Sequence, residues 1–196
     1  CHIAAEKPAG AIELPAPDRV LSENSAFTST FHTFYPNNNP LTAQPLCQRQ
    51  DTRYLLHNPP APYLTQPELD AVYDLDFERA HHPYYERQGP VKALETIQFS
   101  IASHRGCYGE CNFCSIAIHQ GRTVRWRSID SILREARRLT QHPDFKGYIH
   151  DVGGPTANMY AIECHRKLSH GACPDKRCLY PQICPQLAVD HSQQIE

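Results

Sequence analysis

Twelve of the 17 prolines in this chain of 196 residues lie before residue 91. Each proline fixes its own φ, lacks a backbone N–H and pushes the residue before it toward extended conformations. This half therefore cannot be a succession of long helices and central strands. With Asn58-Pro-Pro-Ala-Pro62 inside it, the span 1–93 is expected to be a long, Pro-rich, largely irregular segment that wraps or links. Two short helices fit between the prolines. Asp18 can cap one whose apolar positions Val20, Phe27, Phe31 and Phe34 share a face before Pro36-Asn-Asn-Asn-Pro40 stops it. Thr65 and Glu68 have capping-box spacing and start a second helix that reaches Tyr73.

From residue 94 the texture changes. Ile97, Phe99 and Ile101 alternate with polar residues as in a half-buried strand. Ser128 can cap a helix with Asp130 in its first turn, an apolar face of Ile129, Ile132, Leu133, Ala136 and Leu139, and Arg137 and Arg138 near its end. Gly147-Tyr-Ile-His-Asp-Val152 reads as a second strand ending at Gly153-Gly154. Strand, loop, helix and strand make a βαβ unit with a parallel pair over 94–163, and ligand sites of such folds lie at the carboxyl ends of the strands. Residues 164–196 form a Cys-rich insertion followed by the start of a helix.

Between the first strand and the helix lies Cys107-Tyr-Gly-Glu-Cys111-Asn-Phe-Cys114. Three thiolates on one tight loop can hold three irons of a [4Fe-4S] cube and leave the fourth open to a cofactor, whereas an electron-carrying cluster normally takes four cysteines. The alternative is a zinc site completed by His119 or His104. A second group, Cys164, Cys173, Cys178 and Cys184, can hold an auxiliary cluster or zinc, with His165 and His170 as substitute zinc ligands. Nine cysteines, seven of them between 107 and 184, do not form the even framework of a disulfide-stapled secreted domain, and a reducing compartment fits better. Cys1 and Cys47 stand apart and read as small apolar residues.

Net charge of -2 excludes a global field that would draw the chain onto nucleic acid or an anionic membrane. Local RNA contact rests on Gly121-Arg-Thr-Val-Arg-Trp-Arg127, which mixes arginines with the single tryptophan. The competing expectation has one arginine facing an anionic ligand and the others solvated. No apolar run approaches the ~20 residues of a membrane span and no signal peptide is recognisable, so a cytoplasmic protein is expected. The chain begins at Cys1 rather than Met and closes on Asp190-His-Ser-Gln-Gln-Ile-Glu196, which reads as a capped helix start. The expectation is a piece of a longer protein.

The spacing of Cys107, Cys111 and Cys114, with Phe113 before the third, resembles the radical S-adenosylmethionine (SAM) superfamily. Longer stretches are similar to the YgiQ-like family of uncharacterised radical SAM proteins: Asn58-Pro-Pro, Phe99-Ser-Ile-Ala-Ser-His-Arg-Gly-Cys107, Asp151-Val-Gly-Gly-Pro-Thr-Ala-Asn-Met-Tyr160 and the cysteines from 164 to 184. The resemblance implies an incomplete partial (β/α) barrel, present here as its first βα unit and second strand. It also implies a [4Fe-4S] cluster on Cys107, Cys111 and Cys114, SAM beside Phe113, Gly153 and Gly154, and a reductant such as flavodoxin or ferredoxin. Where the superfamily has Gly-Gly-Glu this chain has Gly153-Gly154-Pro155, and Pro155 is the residue expected of the YgiQ-like family. A tRNA-modifying methylthiotransferase and a non-enzymatic zinc or electron-transfer module are the alternatives.

Overall fold

A computed structural model describes residues 1–175, 177–190 and 192. The first third runs β1 (His2–Ala4), β2 (Ile12–Leu14), α1 (Pro17–Ser22), α2 (Asn24–Phe34), β3 (Leu46–Gln50), β4 (Arg53–His57) and α3 (Gln66–Tyr73). After a 3-10 turn at Pro83–Gln88 come α4 (Leu94–Ile97), β5 (Ser100–Ala102), β6 (His104–Arg105), α5 (Ile116–Gln120), β7 (Arg125–Trp126) and α6 (Ile129–Thr140). The chain continues with β8 (Asp151–Gly153), β9 (Glu163–Cys164), α7 (His165–His170) and β10 (Leu187–Ala188). Two compact units interleave along the sequence instead of dividing at residues 93 and 163. One comprises Cys1–Tyr63, Tyr108–Thr123 and Cys164–Leu187; the other comprises Leu64–Cys107, Val124–Glu163 and the described residues after Leu187.

The first unit corrects the expectation of an irregular beginning. Its four-stranded sheet has the order β1-β4-β3-β2, with β1 antiparallel to β4 (His2 opposite Leu56), β4 antiparallel to β3, and β3 parallel to β2 (Ile12 opposite Leu46). The prolines punctuate these elements instead of preventing them. Pro17 opens α1 and Pro67 opens α3, where a missing N–H costs nothing. Pro45 precedes β3 and its carbonyl accepts the Ile12 N–H at 2.9 Å. Ala11, Cys47 and Leu56 form the core with Tyr54 against them, so Cys47 is the small apolar residue expected, while Cys1 is exposed.

The expected single helix from Asp18 to Phe34 is two. Glu23 turns extended between them (φ -121°, ψ 113°), its carboxylate held back on α1 by Arg19 at 2.8 and 3.0 Å. Phe27 and Phe31 do not enter a core; they line a cavity of about 810 Å³ with Tyr35, Asn112, Arg122 and Pro174.

In the second unit β5 and β8 pair in parallel, Ser100 opposite Asp151 and Ala102 opposite Gly153, with α6 between them in sequence. This is the βαβ order expected, although both strands are shorter. Residues 94–97 are helical and leave Ile97 exposed, while Phe99 and Ile101 join Ile132, Leu139 and Tyr160 in the core. Ser128 caps α6, accepting the Ser131 N–H at 3.1 Å, and Thr65 and Glu68 form the reciprocal capping box of α3. One position on α6 is corrected. Leu133 is 45% exposed, and Glu135 is the side chain turned inward. The described residues form no closed barrel.

Candidate functional site

The end of the parallel pair organises one part of the site. Beyond β5, the Ser103 N–H continues the ladder to the Gly153 carbonyl at 2.7 Å. The next residue, His104, is buried with both ring nitrogens engaged: Nδ1 lies 2.9 Å from Ser103 Oγ, and Nε2 accepts the Met159 N–H at 3.3 Å. A Cβ on Gly154 would fall inside the His104 ring, so glycine at 154 is demanded by this packing. Gly106, at φ 87°, then turns the chain into Cys107, which is 7% exposed and whose Sγ lies 3.6 Å from Thr156 Oγ1. The first cysteine and the Gly-Gly-Pro-Thr turn, far apart in sequence, thus meet at the carboxyl end of the strands.

Burial pushes the His104 pKa below its ordinary 6.5, against a hydrogen bond to the Ala157 backbone that raises it. The folded chain therefore favours the neutral ring more than the unfolded chain does. The stability this contributes is fully present above pH 6.5 and is lost as the pH falls through the lower folded value. Urea unfolding followed from pH 7.5 to pH 5 is expected to show a loss that a His104→Gln variant does not share. Equal slopes for the two proteins would refute this.

The remainder of the cysteine loop belongs to the first unit. The Cys114 N–H donates to the Cys111 carbonyl at 3.0 Å, closing a tight turn, and Cys114 Sγ accepts the Ile116 N–H at 3.5 Å. Cys111 is exposed, and Phe113 stands 93% exposed. Glu110, inside the motif, is buried and sits at φ 46°, a left-handed conformation rare for a residue with a Cβ. Its Oε2 accepts the Tyr35 hydroxyl at 2.6 Å and Arg122 Nε at 2.8 Å, and its Oε1 accepts Lys167 Nζ at 2.5 Å. Burial would lower the Lys167 pKa, but Glu110 outweighs it and the net shift is upward. Burial, then the Glu110 hydrogen bond, pushes the Tyr35 phenol up. Sequence reasoning missed this set; the available signal was a carboxylate between two cysteines with no local partner.

The arginine stretch is not a basic surface. Arg122 pairs with Glu110 inside the first unit, and Arg127 with Glu135 inside the second, both fully buried. Arg125, partly exposed, donates to the Leu64 carbonyl at 3.0 Å and lies 3.7 Å from Glu163. The expected solvated arginines are thus corrected to internal ion pairs, which removes the feature that suggested RNA.

None of the nine cysteines is in a disulfide. Cys164 and Cys178 are buried, and Cys173 and Cys184 partly so. Burial raises the Cys178 thiol pKa against the opposing pull of Lys167, and the Arg166 guanidinium contacts Cys173 Sγ. Among the described residues no three His, Cys, Asp or Glu side chains converge tightly enough to hold a metal, and this covers both the triplet and the later four. His119, His165 and His170 are exposed, and the engaged His104 has no free ring nitrogen to complete a zinc site. What the triplet supplies is the donor type of an iron-sulfur cluster, three thiols not joined by disulfides, without a convergent arrangement of their side chains among the described residues.

No helix among the described residues is long and apolar enough to cross a membrane. The helix start expected at Asp190 runs into residues 191 and 193–196, which lie outside the described residues.

No solved structure matches the chain. Over all 196 residues it is 50% identical to a UPF0313 protein of Fusobacterium nucleatum subsp. nucleatum, covering 34% of that protein. It is 50% identical over 184 residues, 94% of the chain, to a UPF0313 protein of Methanocella arvoryzae, covering 30% of it. It is 44% identical over 182 residues to a UPF0313 protein of Clostridium botulinum strain Okra, with 93% of the chain and 28% of the relative covered. The chain thus spans about a third of the length of these relatives. Residues 2–100 match the family described as Radical SAM N-terminal, and with these relatives alongside it the chain belongs to that family and, through it, to the radical SAM superfamily.

Proposed function

We propose that this chain carries the cluster loop and part of the cofactor-binding surface of a radical SAM enzyme. Cys107, Cys111 and Cys114 are the ligands of a [4Fe-4S] cluster; Phe113, Gly153 and Gly154 lie beside SAM. The observation that supports this best is the triplet of cysteines, none in a disulfide, on a loop leaving the carboxyl end of a parallel strand, where the Cys107 thiol meets the turn after Gly153-Gly154. When bound, such a cluster supplies the electron that cleaves the sulfonium of SAM.

The residues of the chain have simpler tasks. The backbone at Gly153, which carries no side chain, lets a ligand approach the strand end closely. Phe113, on the open side of the loop, offers an apolar face that can exclude water. The pair β5–β8 forms the first two strands of a partial barrel whose other strands lie elsewhere in the full-length protein. A flavodoxin- or ferredoxin-type reductant, a cytoplasmic location and an auxiliary site on Cys164, Cys173, Cys178 and Cys184 belong to the same proposal.

The full-length protein, loaded anaerobically with iron and sulfide, is expected to release 5′-deoxyadenosine from SAM when dithionite is added. A Cys111→Ala variant is expected to lose at least 100-fold of that release, as on the order of 3 kcal/mol of barrier would require. Full release from the variant would remove Cys111 from the ligand set.

A further inference from the structure

We infer that the cavity beside α2 is a binding site for a planar aromatic molecule bearing one carboxylate, with Arg122 reading the carboxylate and Phe27, Phe31 and Tyr35 the ring. Its lining lies wholly within the first unit. The site needs no metal.

Shape and lining are the first support. A volume of about 810 Å³ falls in the range of ligand pockets, which are mostly apolar with a few placed polar groups. Phe27, Phe31 and Tyr35 recur every four residues, so one face of α2 and its C-cap presents three rings in a row. The Phe31 and Tyr35 rings lie 5.3 Å apart, tilted by 30°, and the Arg122 guanidinium lies 4.3 Å over the Tyr35 ring. Such a wall favours a flat aromatic partner over an aliphatic one, since ring faces and edges attract through their quadrupoles. Phe27 is 61% and Phe31 37% exposed on this face. Neighbouring aromatics left outside a core and rimmed by polar groups are the mark of a binding groove.

Arg122 is the second support. Its side chain is 2% exposed, yet it lines the cavity. Nε donates to Glu110, and the two terminal nitrogens donate to the Tyr35 carbonyl at 3.4 Å and the Cys173 carbonyl at 2.8 Å. A guanidinium carries five N–H donors, so these three bonds leave one N–H on each terminal nitrogen. A carboxylate, with two oxygens, matches such a pair of donors. The same bonds fix the guanidinium before a ligand arrives, a preorganisation that lowers the cost of binding. Among the described lining residues Arg122 is the single Lys or Arg, and there is no Asp or Glu. One negative charge therefore suits the site better than a dianionic phosphate. His32, Thr42 and Asn112 are the other polar side chains of the lining.

The test uses the full-length protein as purified, with no iron or sulfide added, and equilibrium dialysis of three probes. 2-Naphthoate, an aromatic carboxylate, should saturate at one per chain. 2-Naphthylmethanol has the same rings without the charge, and cyclohexanecarboxylate has the charge without an aromatic ring. Each should bind about tenfold more weakly, having lost the charge-assisted hydrogen bonds or the ring contacts. Arg122→Lys should cost about tenfold for 2-naphthoate, because lysine lacks the planar fork, and should leave 2-naphthylmethanol unchanged. A merely structural role for Arg122 would weaken both probes alike. Phe27→Ala should weaken both aromatic probes about fivefold, the worth of one aromatic contact. Should Arg122→Lys fail to fold, Phe27→Ala, at an exposed position, carries the comparison. No saturable binding of 2-naphthoate, equal affinity for 2-naphthylmethanol, or an affinity unmoved by both variants overturns the inference. Because no cluster is loaded, each of these outcomes leaves the proposed function standing.

Discussion

Replacing Arg127 by alanine is expected to destabilise the chain by about 3–5 kcal/mol, the cost of stripping one partner from a buried ion pair. The side chain of Arg127 is 0% exposed and pairs with Glu135. It also donates to Ser131 Oγ at 2.9 and 3.2 Å, to the Ser131 carbonyl at 2.9 Å and to the Ala102 carbonyl at 3.0 Å, and lies 4.2 Å over the Tyr73 ring. One guanidinium thus ties β5 to the first turn of α6, and a lysine cannot reproduce its planar fork. Urea unfolding of the Arg127→Ala, Arg127→Lys and Arg127→Met/Glu135→Leu variants is the measurement. The double variant is expected to lose no less than the alanine variant, because Glu135 keeps Arg79 when Arg127 is replaced, whereas removing Glu135 as well unpairs Arg79. A loss below about 1 kcal/mol for Arg127→Ala would contradict the account.

The second large effect is expected at Gly154. Gly154→Ala drives a methyl group into the His104 imidazole, whose displacement breaks its contacts with Ser103 and Met159. Overpacking of this kind costs about 1–3 kcal/mol, and the lost hydrogen bonds place the expectation at the upper end. Gly153→Ala is the control, since the nearest atoms there, at 3.3 and 3.4 Å, are the movable carboxylate oxygens of Asp151. Combining Gly154→Ala with His104→Ala should recover part of the loss, a coupling that a double-mutant cycle measures directly. Equal effects of alanine at 153 and 154 would show that the ring is not the constraint.

Where the chain announces its structure locally, its sequence could be read. Thr65 with Glu68 and Ser128 ahead of Asp130 mark helix starts whose capping bonds span three residues, and both helices begin there. The order around the cysteine loop was equally legible, because Phe99 and Ile101 before it and Gly153-Gly154 after it bracket one capped helix. The N-terminal sheet was not. Its strands are only three to five residues long, too short for alternation to register, and the pairing of His2 with Leu56 spans most of the segment Cys1–Tyr63. Prolines argue against long elements, and short ones ending at those prolines escape the argument.

The buried charges were illegible for a related reason. Glu110 finds its partners at positions 35, 122 and 167, and Glu135 is reached by Arg79 as well as Arg127. A helix face read by hydropathy takes Leu133 inward and Glu135 outward, while the protein does the reverse because an internal arginine awaits the carboxylate. At the candidate site, the sequence motif supplied the donor set and the strand end. The packing of Gly154 on His104 and the pinning of the loop through Glu110 emerged only in three dimensions.

The most direct test of the central claim is the metal and sulfide content of the full-length protein after anaerobic reconstitution. The measurement compares wild type with a Cys107→Ala/Cys111→Ala/Cys114→Ala variant and with one lacking Cys164, Cys173, Cys178 and Cys184. Loss of about four iron and about four sulfide per chain on removing the triplet, as one cube requires, is the predicted result. Zinc without sulfide, or an iron and sulfide content unchanged by removal of the triplet, would contradict it.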